Sequence, residues 1–202
     1  DGKLSLRKVR DFIFNHQKKT FWCFAIFVIL EIVVVALSSM ETNSEMPWFT
    51  LPVVFIVCTL IGGGNEELGW RGTLQPLSER VLSKKIKNHT LRFVVATLAI
   101  GVIWTIWHLP LWFVNGSTQQ SIPFGWFFLS TIILSFWLGC IYYKSNSVFY
   151  CMLLHGLSNA LMSFFVIKIN WILIVGFIAL LALSIIIVAQ SKSPKVKTQT
   201  DS

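Results

Sequence analysis

Six long apolar stretches, at 21–39, 47–61, 93–114, 124–143, 148–167 and 171–190, run through the chain between charged or polar breaks. At a helical rise of about 1.5 Å per residue, most of them cross the roughly 30 Å of hydrocarbon in a bilayer. Their apolar residues must then face lipid or lie between spanning helices. The fold this predicts is all-α: a polytopic membrane helix bundle of about six transmembrane helices. Composition agrees, because 54% hydrophobic and 13% charged over 202 residues excludes an ordinary soluble domain. No repeat, Pro/Gly bias or sustained heptad register points to collagen, disorder or a coiled coil. The 47–61 stretch is short for a span and leads through Gly62, Gly63 and Gly64 into a second helical pattern ending near Lys84, so the two read as one long hinged segment.

The formal net charge of +8 would suggest nucleic acid in a soluble protein, but its distribution reads as topology instead. Sixteen of the seventeen basic residues fall in alternate breaks, and only Lys168 falls on the other side. The positive-inside rule then puts both termini in the cytoplasm, with the Glu41 and Glu45 loop and the uncharged 115–123 loop outside. Trp48, Trp112, Trp126 and Trp171 at the outer ends, with Trp22, Tyr142 and Tyr143 at the inner ends, make an aromatic belt. The basic 3–19 segment is amphipathic, too polar for a signal-peptide core, and suited to lipid headgroups. Cys23, Cys58, Cys140 and Cys151 lie inside apolar stretches with no CxxC spacing, which argues against disulfides or a zinc cluster. The chain divides into a basic cytoplasmic or interfacial segment (1–20), a membrane domain (21–190) with its core at about 60–165, and a cytoplasmic tail (191–202).

In such a chain the informative residues are polar ones inside the membrane, where each ionisable group costs about 2.5 to 3.5 kcal/mol on insertion scales. They are Glu31, Glu66, Glu67, Arg71, His108, His155 and Asn159. Glu67 and Arg71 stand four apart, carboxylate first, the better order for an ion pair on one helical face. Residue 66 points about 100° away from 67, so Glu66 addresses another surface and is a candidate base. Glu31 is solitary, with no partner at i+3 or i+4. His108 lies one turn after Trp104 and just before Pro110, which breaks the helix. His155 and Asn159 are i and i+4 and share one stripe. With the turn between the second and third segments near Asn88, Glu66 and His108 sit at similar depth. His155 is shallower, so tilt or the glycine hinge must absorb the difference if all of them meet. A lone intramembrane His or Asn more often bonds a neighbouring helix than does chemistry.

The combination is more specific. Glu66-Glu67-Leu68-Gly69-Trp70-Arg71-Gly72, then Trp104-Thr105-Ile106-Trp107-His108, then His155-Gly156-Leu157-Ser158-Asn159 match EExxxRG, (F/W)xxxH and HxxxN on three successive apolar segments. In this the chain resembles the CAAX prenyl protease and bacteriocin-processing (CPBP, or Abi) family of intramembrane endopeptidases. The resemblance covers roughly residues 60–165 and implies a conical polar active-site cavity. Well-known relatives have more spans, which fits a missing N-terminal helical pair. The family pattern implies that Glu66, assisted by His108, activates a water for attack on a peptide carbonyl. His155 and Asn159 would then stabilise the oxyanion while Glu67 and Arg71 hold the surroundings.

A metal stays open at this level. Glu66, His108 and His155 could form an incomplete zinc site, yet HExxH is absent, and Asn159 is an unusual zinc ligand but a good oxyanion donor. A cofactor-free glutamate mechanism is the favoured expectation. The substrate expected is a hydrophobic, lipidated or small peptide entering from the bilayer, as in CAAX-type cleavage. Compactness and a Lys/Ile-rich character point to a bacterial plasma membrane and to bacteriocin or signal-peptide processing; no nucleic-acid partner is expected. The rival readings are a non-catalytic membrane scaffold or bacteriocin-immunity protein of the same fold, and a transporter. Retention of Glu66, His108 and His155 favours an enzyme, and the chain is short and without inverted repeats for a transporter.

Overall fold

The computed structural model describes residues 6–14, 20–39 and 41–191, and no strand is formed among them. The helices are α1 (Leu6–Phe14), α2 (Phe21–Ser38), α3 (Leu51–Leu60), α4 (Gly63–Gly69), α5 (Gln75–Leu82), α6 (His89–His108), α7 (Phe124–Ser145), α8 (Val148–Phe164) and α9 (Trp171–Ala189). A π-helical turn at Trp70–Leu74 joins α4 to α5, so Trp48–Leu82 runs as one 35-residue hinged stretch, as the glycine break suggests. Five helical stretches are long and apolar enough to cross a membrane: α2, the hinged stretch, α6 with its 3-10 extension to Phe113, α7 and α9.

The sixth expected span is a shorter apolar helix than these five. α8 has 17 residues, about 25 Å of rise, and ends at Phe164 rather than near residue 167. Beyond Phe164 the backbone pairs elsewhere: Asn43 N–H donates to the Phe164 carbonyl (2.8 Å) and Val166 N–H to the Glu41 carbonyl (3.0 Å). α8 is also wrapped by protein, packing against α2, α3, α4 and α7. Leu154, Cys151 and Ala160 are fully buried there. Close packing against α3 depends on Gly156, where a Cβ would stand 2.1 Å from Thr59 Oγ1 and 2.7 Å from Thr59 Cα.

Local sequence accounts for the helix ends. Asn88, Ser147 and Asn170 cap α6, α8 and α9, accepting from the N–H groups of Leu91, Tyr150 and Leu173. Asn146 takes a left-handed conformation (φ 52°) and turns α7 tightly into α8. Pro110 stops α6 at His108, and the chain continues as a 3-10 turn at Leu109–Phe113. The core lies where α2, α6, α7, α8 and α9 meet, around Phe27, Phe93, Trp104, Trp137, Leu154 and Leu180.

Trp22, Trp48 and Trp171 are exposed, as belt residues would be, whereas Trp126 stacks on Phe177 and Trp112 packs against Phe124 and Phe127. Lys168, the basic residue outside the charge pattern, pairs with Glu41 at 2.5 Å on the same side of the bundle. The four cysteines are free. α1 docks through Phe14 on Phe149 and keeps Arg7 and Arg10 exposed beside Asp11. His16, the basic residues Lys3, Lys18 and Lys19, and the 192–202 tail fall outside the described residues.

Candidate functional site

The site forms where the glycine break, the π-helical turn and α8 come together. Glu67 and Arg71 are an i,i+4 ion pair (3.0 Å) with no solvent exposure. Arg71 Nη2 also donates to the carbonyl and the hydroxyl of Ser135 on α7, at 3.1 and 2.9 Å, and its guanidinium lies 5.1 Å from the centre of the Trp104 ring. Glu67 Oε1 accepts a second bond, from His155 Nδ1 at 2.8 Å. Because the carboxylate accepts, Nδ1 carries the ring proton, and Nε2 is the nitrogen turned toward the site.

Gly63 marks where that nitrogen points. A Cβ there would lie 2.1 Å from His155 Nε2 and 2.5 Å from Asn159 Nδ2, so both nitrogens converge on the Gly63 backbone. Gly63→Ala is expected to force the imidazole and the amide apart and to destabilise the fold by about 1–3 kcal/mol, as overpacking does. Thermal unfolding of detergent-purified protein measures it, and an unchanged midpoint would refute the packing argument.

Glu66 points the other way, as the 100° offset requires. Its Oε2 accepts from the indole N–H of Trp104 (2.8 Å) and of Trp70 (3.2 Å). Among the described residues no hydrogen bond reaches Oε1, and none joins Glu66 to His108. Glu66 lines an open cleft of about 310 Å³ with Asn65, Gly69, Trp70, Leu74 and Trp107. That cleft opens beside Glu66, where the resemblance implies a conical polar cavity. His108 Nδ1 donates to the Trp104 carbonyl (3.0 Å), and its ring packs against Trp107 and Phe127.

All six expected residues therefore gather in one region, and Trp104 links four of them. It is 3% exposed and touches Glu66 through its N–H, His108 through its carbonyl, and Arg71 and His155 through its ring. Reasoning from the sequence missed Trp70, Ser135 and the role of Gly63. Trp70 carried a signal, since it stands i+4 from Glu66; Ser135 carried none. Glu31 is not solitary: the Ser158 hydroxyl donates to its Oε1 from across the bundle, tying α2 to α8 beside Asn159. Among the described residues no three His, Cys, Asp or Glu side chains come together to hold one ion.

Comparison with known proteins gives two findings. Residues 47–161 match the model of the family described as type II CAAX prenyl endopeptidase Rce1-like. CAAX prenyl protease 2 of Methanococcus maripaludis is 33% identical over 117 residues, 54% of this chain and 39% of that relative's length. The chain thus spans well under half of the curated relative it matches. No solved structure matches.

Proposed function

Because the chain belongs to the Rce1-like family of type II CAAX prenyl endopeptidases, we propose that it is an intramembrane endopeptidase acting on a hydrophobic, lipidated or small peptide. The observation that carries this reading is the convergence of three separated motifs around Trp104. Glu66 Oε1 takes a proton from a water whose oxygen attacks the scissile carbonyl, and the same carboxyl then passes that proton to the leaving amine. His108, one contact away through Trp104, assists in orienting the water. Asn159 Nδ2 donates to the oxyanion, and His155 Nε2 donates as well when its ring carries both protons. The buried Glu67 carboxylate, shared between Arg71 and His155, fixes the orientation of the ring.

No step in this reading passes through a metal. The protein is an integral, multi-pass membrane protein. We place both termini in the cytoplasm from the charge asymmetry, with the basic N-terminal segment on lipid headgroups, the membrane domain at 21–190 and the tail from 191. A bacterial plasma membrane and small-peptide processing suit the compact, Lys- and Ile-rich chain.

The test is cleavage of a farnesylated C-terminal peptide, with an unlipidated apolar peptide beside it, by protein in nanodiscs with and without a strong chelator. Cleavage unaffected by chelator, and lowered about a hundredfold by Asn159→Ala, is the expected result. Chelator sensitivity would overturn the metal-free mechanism, and wild-type cleavage by Asn159→Ala would overturn the oxyanion assignment.

A further inference from the structure

The two oxygens of Glu66 are treated unequally by the protein. Oε2 accepts two indole N–H groups, from Trp104 at 2.8 Å and from Trp70 at 3.2 Å, while Oε1 has no protein partner among the described residues. Resting on the function proposed above, we propose that Trp70 and Trp104 are positioning residues that pin Oε2 of Glu66 and reserve Oε1 for proton transfer.

The geometry of the segment makes the clamp possible. Glu66–Trp70 and Glu67–Arg71 are neighbouring i,i+4 pairs, so one stretch of helix presents its first carboxylate to an indole and its second to a guanidinium. The chain passes from α-helix to π-helix at Trp70, a local geometry that recurs at functional sites. The Trp70 and Trp104 rings lie 6.1 Å apart and tilted by 40°, and Trp107 meets Trp70 edge-on at 6.0 Å. The carboxylate is thus held on one side by two rigid side chains that are themselves packed.

Indole N–H is a donor only, so it can neither accept the proton nor offer a competing acceptor to the water. A carboxylate free to rotate would present either oxygen, whereas one with Oε2 doubly bonded presents Oε1 in a fixed direction, which is what proximity-based rate gains require. The (F/W)xxxH pattern accepts Phe or Trp at position 104, so the Trp104 donor is a feature of this chain rather than a requirement of the motif.

The experiment uses Trp70→Phe, Trp104→Phe and the double variant, which keep the rings and remove only the N–H groups. In 15N–1H spectra of the indoles, Glu66→Gln is expected to move two of the nine tryptophan signals, and those two should be the ones missing from Trp70→Phe and Trp104→Phe. Trp112, whose indole donates to the Ile122 carbonyl, should stay in place. In cleavage of the farnesylated peptide, each single variant is expected to lose about tenfold and the double variant about a hundredfold, in kcat and not in KM. Indole signals indifferent to Glu66→Gln, or a double variant with wild-type kcat, would overturn the clamp. Were the wild type to leave the peptide uncut, the proposed function would fall, while the indole signals would still decide whether the two hydrogen bonds exist.

Discussion

Glu66→Gln is expected to lower cleavage of the farnesylated peptide by about 10² to 10⁴ while leaving the thermal midpoint unchanged, because it removes a base without removing a shape. The amide keeps the length and planarity of the carboxylate, and its oxygen can still accept from Trp70 and Trp104, so the hydrogen bond that ties α4 to α6 is retained. What the amide cannot do is take a proton from water. Glu66→Asp draws the carboxylate back by one methylene and away from both indoles, so an intermediate loss is expected together with lower stability. The neighbouring carboxylate supplies the contrast: Glu67→Gln disturbs a buried pair with Arg71 and the orientation of His155, and should fail in unfolding assays as well as in catalysis. Steady-state rates and unfolding midpoints measured on the same preparations separate the two. Glu66→Gln retaining activity within tenfold of wild type would remove the general-base role.

The assignment of Glu66 and Glu67 to different faces was legible because it needs only helical arithmetic. A residue at i+4 lies on the same face and one at i+1 lies about 100° round. The Glu67–Arg71 pair, the different heading of Glu66 and the stop at Pro110 follow from that arithmetic and from proline chemistry alone. Contacts between helices far apart in sequence are not written in any period. Glu31 lacks a polar residue at i+3 or i+4, yet its partner is Ser158, 127 positions away, and nothing in the α2 sequence announces it. Likewise Ser135 receives Arg71 from 64 positions away on a helix whose apolar run gives serine no distinction.

The sixth apolar stretch shows a related physical limit. Hydropathy measures how apolar a stretch is, not what covers it. α2, α3, α4 and α7 surround the 148–167 stretch, and its helix stops at Phe164. Within that enclosure α8 brings His155 and Asn159 up to the Gly63 backbone. The glycine run read as a hinge does act as one, and its middle residue has a second use that only the approach of the α8 side chains shows.

Arg71→Met should destabilise the protein by about 3–5 kcal/mol, the loss expected when one member of a buried ion pair is removed and the other charge is left behind. Arg71 has no exposure and satisfies three acceptors, Glu67 Oε1 and the Ser135 hydroxyl and carbonyl, so a methionine of similar volume leaves all of them short of a donor. Glu67 already has Oε2 without a partner, and with Arg71 gone only His155 Nδ1 would remain to it. Adding Glu67→Gln to Arg71→Met removes the stranded charge, so the double variant is expected to be more stable than Arg71→Met alone. Arg71→Lys keeps the charge but cannot span Glu67 and Ser135 with one planar fork, and should fall between wild type and Arg71→Met. Chemical unfolding of Glu67→Gln, Arg71→Met, Arg71→Lys, the double variant and the wild type in one detergent closes the cycle. A double variant no more stable than Arg71→Met would show that Arg71 acts through packing against Trp104 rather than by neutralising Glu67.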